Sequence, residues 1–385
     1  MTLKVARRGN IPPFIVMDVM RAAFEREAAK GDVLHLEVGQ PSTPAPSGAI
    51  AAAKAALDAD KLGYTDTFGI PTLRQAIARH YRDWYGVEVA PEQVFVTTGS
   101  SAAFVVSFLA AFDPGDRVAV AEPGYPCYRN ILSALGIEPV GLATTEESRF
   151  QPTVELLAAA EGDGGKLDGL IVASPSNPTG TMLSADELKD LADYCHERGI
   201  RLISDEIYHG ITYGERGASA LEFTRDAVVI NSFSKYFSMT GWRLGWMVIP
   251  ADLARAIECL AQNLYISPPS LSQAAAVAAF DCHDELQANV ARYAANRALL
   301  LEKLPGAGFD HLAPAQGAFY IYADVSKLTN DSEDFCRRIL AETGVATTPG
   351  LDFDPHRGRA FMRFSFAGAT ADMDEAASRL AKWLG

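Results

Sequence analysis

The sequence predicts an α/β protein, with a large domain on a mostly parallel sheet covered by helices and a smaller α+β domain after it. Two observations carry this. From about residue 94, short apolar runs alternate with helical segments: VFVTT (94–98), RVAVAE (117–122), GLIVAS (169–174), RLISDE (201–206), AVVINS (227–232) and LGWMVI (244–249). These runs lack polar alternation, as strands covered on both faces do, and strand–helix–strand order argues for parallel pairing. Beyond about residue 275 the texture changes. A long helix (roughly 271–303) leads to FYIYADV, a short helix near 332–343, FMRFSFA and a last helix ending at Leu384.

Earlier elements follow the same logic. Residues 14–30 place Ile15, Val19, Ala22 and Ala23 at helical spacing with charges opposite, which predicts an amphipathic helix. The Pro-rich stretch QPSTPAPSGAI comes next, and Ser47 is expected to cap the Ala-rich helix behind it. Ala102–Phe112 and Ala185–Arg198 read as helices between strands. The expected division is an arm and helix over 1–45 that join the small domain, a large domain over 46–275, and a small C-terminal domain over 276–385. A chain of 385 residues is too long for one small core.

Composition narrows the function classes. Subtracting 48 acidic from 34 basic residues leaves a formal charge of −14, which repels phosphate backbones and anionic bilayers, so neither nucleic acid nor membrane is an expected partner. The longest apolar run, Ala102–Phe112, is too short to span a bilayer. Cys127, Cys195, Cys259, Cys282 and Cys336 are scattered and never form a CxxC pair, so they read as thiols of a reducing compartment rather than disulfides or a metal site. The start, MTLKVARRGN, has no apolar stretch of the secretory kind. A cytoplasmic location is expected.

Four segments at predicted strand ends carry chemistry. Ser232-Phe233-Ser234-Lys235 puts a lysine directly after an apolar strand, and lysine becomes a Schiff-base nucleophile once its surroundings lower its pKa. Ser232, Ser234 and Arg243, eight residues past Lys235, are suited to a phosphate. Asp205-Glu206-Ile207-Tyr208 follows RLIS, at the strand edge where open α/β sheets bind ligands. A carboxylate there pairs with a protonated pyridine nitrogen, and Tyr208 reaches a ring hydroxyl. Ser174-Pro175-Ser176-Asn177-Pro178-Thr179-Gly180 is a rigid turn that presents an amide. Thr97-Thr98-Gly99-Ser100-Ser101 opens a helix whose N-terminus can hold phosphate. Each segment alone has a plain reading as a capped turn or a surface pair. Their order decides: Asn177 precedes Asp205 by 28 residues and Asp205 precedes Lys235 by 30, with Pro123-Gly124-Tyr125 as an aromatic loop ahead of them.

The ordered set SNPTG, DEIY and SFSK…GWRLGW, running from EVGQPS to FMRFSFA, resembles the class I/II aminotransferases of the fold type I pyridoxal 5′-phosphate (PLP) enzymes. The resemblance implies a seven-stranded, mostly parallel sheet, PLP as cofactor, and ping-pong transfer of an amino group from an L-amino acid to an α-keto acid. It implies that Lys235 is the catalytic Schiff-base lysine and Asp205 the partner of the pyridine nitrogen, with Tyr208 and Asn177 on the ring hydroxyl. Gly99, Ser100, Ser101, Ser232, Ser234 and Arg243 would form the phosphate cup, and Tyr125 would stack on the ring. Arg363, with Gly39 and Asn177, would grip the substrate carboxylate. Tyr64, in LGYTDTFGIPTLRQAI, would reach the phosphate of a second subunit, which implies a homodimer with shared active sites.

The departures concern the substrate. One branch of the family carries a lysine two residues after the phosphate-loop glycine, where this chain has Ser101. Another has an arginine before a YSNPP-like segment, absent from Gln262-Asn263-Leu264-Tyr265-Ile266-Ser267-Pro268-Pro269. A neutral or aromatic donor is therefore expected over aspartate. Two alternatives stay open: a β-lyase on the same scaffold, and a PLP-binding regulator without catalysis.

Overall fold

The computed structural model describes residues 3–60 and 62–385; Lys61 lies outside it, as do Met1 and Thr2 at the start of the segment read above for a leader. Helix α1 (Ile15–Lys30) forms as expected and stops at Gly31, which takes the left-handed conformation. Its buried residues are Val16 and Ala23; Ile15 and Val19 are half-buried and Ala22 is exposed. Phe14 offers no side-chain cap. Instead the buried carboxylate of Asp352 accepts from the Ile15 N–H at 2.9 Å and the Val16 N–H at 3.1 Å. This satisfies two of the free donors of a helix start. Strand β1 (Leu34–His35) follows.

Helix α2 (Ser47–Asp58) corrects one expectation. Pro46 occupies the capping position, and the Ser47 hydroxyl and N–H turn to the Glu285 carboxylate at 2.8 and 3.1 Å. Proline has no side-chain acceptor for the helix start, so the Glu285 carboxylate of a later helix takes the free Ser47 N–H instead. Helix α3 (Pro71–Tyr85) then packs against the start of the sheet.

The central sheet holds β2 (Val94–Thr97), β3 (Arg117–Glu122), β4 (Glu138–Ala143), β5 (Gly169–Ala173), β6 (Arg201–Asp205), β7 (Val228–Ser232) and β8 (Gly245–Val248). All six expected strands form. The seventh, β4, sits at the edge, where Pro139 and Gly141 are tolerated and one face stays wet. The order is β2-β8-β7-β6-β5-β3-β4. Strands β7, β6, β5, β3 and β4 pair in parallel, while β8 runs antiparallel to both β7 and β2. Consequently the C-terminal ends of β2, β5, β6 and β7 share one edge with the N-terminal end of β8. Helix α4 (Ser100–Ala111), α5 (Pro126–Leu135), α6 (Val154–Gly164) and α7 (Ala185–Arg198) connect strands across the faces.

After α8 (Ala254–Leu264), the single long helix expected at 271–303 is in fact two, α9 (Ser270–Ala279) and α10 (His283–Gly306). The break falls where Phe280 turns into an aromatic cluster with Phe233, Phe237 and His80, ring centroids 5.1–5.5 Å away. Asp284 and Glu285 then favour a fresh helix start. The rest comprises β9 (His311–Leu312), β10 (Tyr320–Asp324), α11 (Ser332–Thr343), β11 (Val345–Ala346), β12 (Thr348–Pro349), β13 (Phe361–Ser365) and α12 (Thr370–Leu384). An antiparallel sheet β12-β13-β10-β9 forms here, and β11 pairs with β1. One buried apolar cluster runs from Leu73 and Val96 through Trp246 to Phe319 and Phe364, so the small sheet is packed onto the large one. Among the described residues no helix is long and apolar enough to cross a membrane.

Because Asp352 is a side-chain cap from outside the helix, Asp352→Ala is expected to lower the unfolding free energy by about 1–2 kcal/mol. Urea unfolding measures the loss, and amide exchange should quicken first in Ile15–Lys30. Unchanged exchange in α1 would contradict the capping role.

Candidate active site

The shared strand edge and the small sheet enclose a cavity of about 550 Å³. Lys235 enters it from the loop after β7. Its Nζ donates to the Gly39 carbonyl at 2.6 Å and stands over the Tyr208 and Phe319 rings. Burial of the amine, reinforced by the charge of Arg363, pushes its pKa down to about 8. A Cβ on Gly39 would lie 1.7 Å from the Tyr320 hydroxyl, so only glycine lets this backbone lie so close to the cavity wall.

Asp205 ends β6 at the cavity. Its carboxylate accepts the Ile207 N–H at 3.0 Å and the Tyr128 hydroxyl. These two bonds do not make up for burial, which pushes the group up to about 6. Tyr208 shares a 2.7 Å hydrogen bond with Tyr320. Asn177, in the turn after β5, accepts from Arg363 Nη1 at 2.7 Å. Arg363, only 2% exposed, also donates through Nη2 to the Glu37 carbonyl and, at 3.3 Å, to Thr348. Its guanidinium lies over the Tyr320 and Phe353 rings at 4.4 and 4.8 Å. The Nε–H, also buried, has no partner.

Ser100 and Ser101 open α4 and line the cavity together with Ser234 and Arg243. Arg243 precedes β8 and takes a left-handed backbone conformation (φ 52°). Gly99 stands behind it: a Cβ there would meet Nη2 at 2.7 Å, and φ is +79°. Tyr125 meets Phe14 edge-on at 5.7 Å and Tyr128 at 5.3 Å.

Gly39, Ser100, Ser101, Tyr125, Asn177, Asp205, Tyr208, Ser234, Lys235, Arg243 and Arg363 thus converge on one cavity. Three of the expected residues do not line it. Gly99 backs Arg243. Ser232 is wholly buried, its hydroxyl 3.0 Å from the Leu244 carbonyl and 3.1 Å from the Ser234 N–H, and it braces the loop that carries Ser234 and Lys235. Tyr64 is 84% exposed on the outer surface. Reading the sequence missed Tyr128, one helical turn past Tyr125 and so on the same face, a signal that was available. It also missed Tyr320, whose place depends on β10 pairing with β13, and the α1 wall of Phe14, Val16, Met17 and Met20.

Residues 31–380 match the protein family described as Aminotransferase class I and II. A valine–pyruvate aminotransferase of Mycobacterium tuberculosis is 53% identical over 388 residues, covering 100% of this chain and 99% of that protein. The crystal structure of an aminotransferase from the same organism superposes with a TM-score of 0.97 at 53% identity, covering 100% of this chain and 99% of that one. The structure of Thermus thermophilus aspartate aminotransferase with maleate superposes with a TM-score of 0.92 at 31% identity, covering 99% and 100%.

The amine of Lys235 makes a pH prediction for the ligand-free chain. With its pKa near 8 when folded and at its ordinary 10.5 when unfolded, the unfolded chain binds more protons between those values. Stability contributed at this position therefore rises with pH across that window. Relative to Lys235→Met, the wild type is expected to gain unfolding free energy from pH 8 to 10.5, as read by urea titration at each pH. A difference that stays flat would refute the depressed pKa.

Proposed function

The chain belongs to the class I and II aminotransferase family, and from that premise we propose that it moves an amino group from a neutral L-amino acid to a monocarboxylic α-keto acid, with PLP at Lys235. One observation carries the substrate reading. Among the described residues, Lys235, Arg243 and Arg363 are the only lysines or arginines lining the cavity, and each has a task there. Among the described residues of this chain no cation is left there for a side-chain carboxylate, and the free wall is Phe14, Val16, Met17 and Met20. The relative named for valine and pyruvate supports the same classes of donor and acceptor.

The donor set fits the cofactor. PLP, when bound, supplies an aldehyde carbon for amines and an electron-poor ring that stabilises negative charge on the substrate Cα. Lys235 is the amine that would join it, and a pKa near 8 leaves a useful neutral fraction at physiological pH. Asp205, held up near 6 by burial, fits a ring N–H cation that would return it to the carboxylate form. Tyr208 and Asn177 would hold the ring hydroxyl, and Tyr125 would cover the ring. Ser100, Ser101, Ser234 and Arg243, braced by Gly99 and Ser232, suit a phosphate at the α4 N-terminus.

The remaining chemistry belongs to the chain. Arg363, which lines the cavity, is the donor for the substrate carboxylate, assisted by Asn177 and Gly39. This grip fixes the amino acid so that its Cα–H faces Lys235. The lysine Nζ takes the Cα proton and holds it for return, while the α1 wall excludes water.

We also propose a cytoplasmic homodimer, which the five unpaired cysteines and an exposed apolar patch support. Tyr64, Leu57, Leu264 and Ile266 are 84%, 53%, 53% and 47% exposed. Thr67 donates to the Ile266 carbonyl at 2.9 Å, which brings the segment after Tyr64 against the end of α8. A second copy would cover the patch and receive Tyr64 at its phosphate site.

The absorption spectrum of the purified holoenzyme tests the assignment. Adding valine should bleach the visible band, pyruvate should restore it, and aspartate should act far more slowly. Ammonia release without a keto acid would mean a lyase, and no chromophore after supplying PLP would end the proposal. Arg363→Gln is expected to raise KM for both substrates at least about tenfold, the worth of a charged hydrogen bond.

A further inference from the structure

A second cavity, of about 170 Å³, lies in the seam between the ends of β3 and β4 and the four-stranded sheet. Its floor is aromatic. The Tyr322 and Phe361 rings lie parallel, 4.9 Å apart between centroids, and Phe150 meets them edge-on at 6.1 and 6.4 Å. The Tyr322 hydroxyl is buried without a hydrogen-bond partner. The charges acting on it, Asp354, Arg357 and Asp324, line the same cavity. A phenol left in this state carries a desolvation cost that a polar ligand atom would relieve.

The charge of the lining decides what ligand fits. Glu146, Asp324 and Asp354 face a single guanidinium, Arg357. Arg357 is already occupied: its Nε donates to Asp354 at 2.8 Å, and its terminal nitrogens donate to the Thr144 carbonyl at 3.0 Å and to the Glu122 carbonyl. Glu146 and Asp324 have no ion-pair partner among the described residues. Carboxylates without ion-pair partners beside aromatic rings favour a cation with a flat apolar body. At roughly 30 Å³ per water molecule, the space is that of about six waters, or one ring with a short cationic arm.

We propose that this cavity is a second binding site, for a small planar aromatic cation, and that it is coupled to the active site through Phe353. Phe353 is fully buried between the two cavities. It meets Tyr322 edge-on at 6.3 Å on one side and lies 4.8 Å from the Arg363 guanidinium on the other. Its carbonyl accepts the Gly124 N–H at 3.1 Å, next to Tyr125. A ligand that presses on Tyr322 therefore bears on both the carboxylate grip and the aromatic loop. The coupling rests on the role given to Arg363; the binding does not.

Benzamidine is the probe, because its amidinium is planar, cationic and not a transamination substrate. Calorimetry on the holoenzyme should give one site per chain with Kd below about 1 mM, or roughly 4 kcal/mol. Binding should persist with saturating keto acid present and in Arg363→Gln. It should weaken about tenfold in Glu146→Lys, on an exposed loop, and in Tyr322→Phe, which loses only an unpartnered hydroxyl and should unfold no earlier than wild type. Saturating benzamidine should shift KM for the amino donor at least about twofold in wild type but not in Glu146→Lys. No saturable binding, or binding displaced by keto acid and indifferent to Glu146→Lys, would overturn the site. Glu146-dependent binding without a KM shift would uphold the site and overturn the coupling.

Discussion

Arg363 brings a permanent charge into a place almost closed to water, and a guanidinium there is tolerated only where its hydrogen bonds are supplied. The partners come from distant parts of the chain: the Glu37 carbonyl near the N-terminus, Asn177 at a turn of the large sheet, and Thr348 on the neighbouring small strand. Closing the two sheets on each other is thus the same event as satisfying this one cation. The positive charge also helps to lower the pKa of Lys235. A single residue in this way couples the assembly of the cavity to the reactivity of its amine.

The sequence was most legible where local chemistry decides the outcome. Apolar runs buried on both faces identified β2, β3, β5, β6, β7 and β8, and the motifs at their ends met at one edge because parallel strands expose their C-termini together. Strand β4 escaped notice because an edge strand with Pro139 and Gly141 has no apolar signature. The interruption between α9 and α10 depends on an aromatic cluster drawn from α3 and the loop after β7, which no local pattern encodes. The same holds within the site. Lys235, Asp205 and Asn177 follow strand ends, whereas Tyr320 and the α1 wall reach the cavity only through pairing and packing remote in sequence.

Two adjacent carboxylates illustrate how wiring separates roles that sequence makes equal. Asp205 faces the cavity, while Glu206 is turned into the protein among Ser204, Ser219 and the Ala220 N–H at 2.9–3.2 Å. Burial pushes Glu206 up to about 8, so it is largely protonated at neutral pH. Beside it His209 is pushed down to about 4 by burial and stays neutral. Its Nε2 lies 2.9 Å from the Ser174 carbonyl, which can only accept, so Nε2 carries the proton and Nδ1 accepts from Tyr85 at 2.7 Å. A nearly uncharged network therefore braces the start of the turn that presents Asn177.

Chemistry and side-chain preference are consequently housed in different elements. The amine, the carboxylate beside it and the carboxylate grip stand on strands and strand-end turns, where a full sheet restrains each group. The wall proposed to meet the substrate side chain is formed by Phe14 and α1, attached by the Asp352 cap and the edge contact of Phe14 with Tyr125. Substitutions at Phe14, Val16, Met17 or Met20 alter the shape and polarity of that wall without touching Lys235, Asp205 or Arg363. On the proposed mechanism a fold divided in this manner can change its donor by altering one helix, because the proposed proton transfer does not involve the side chain that lies against it.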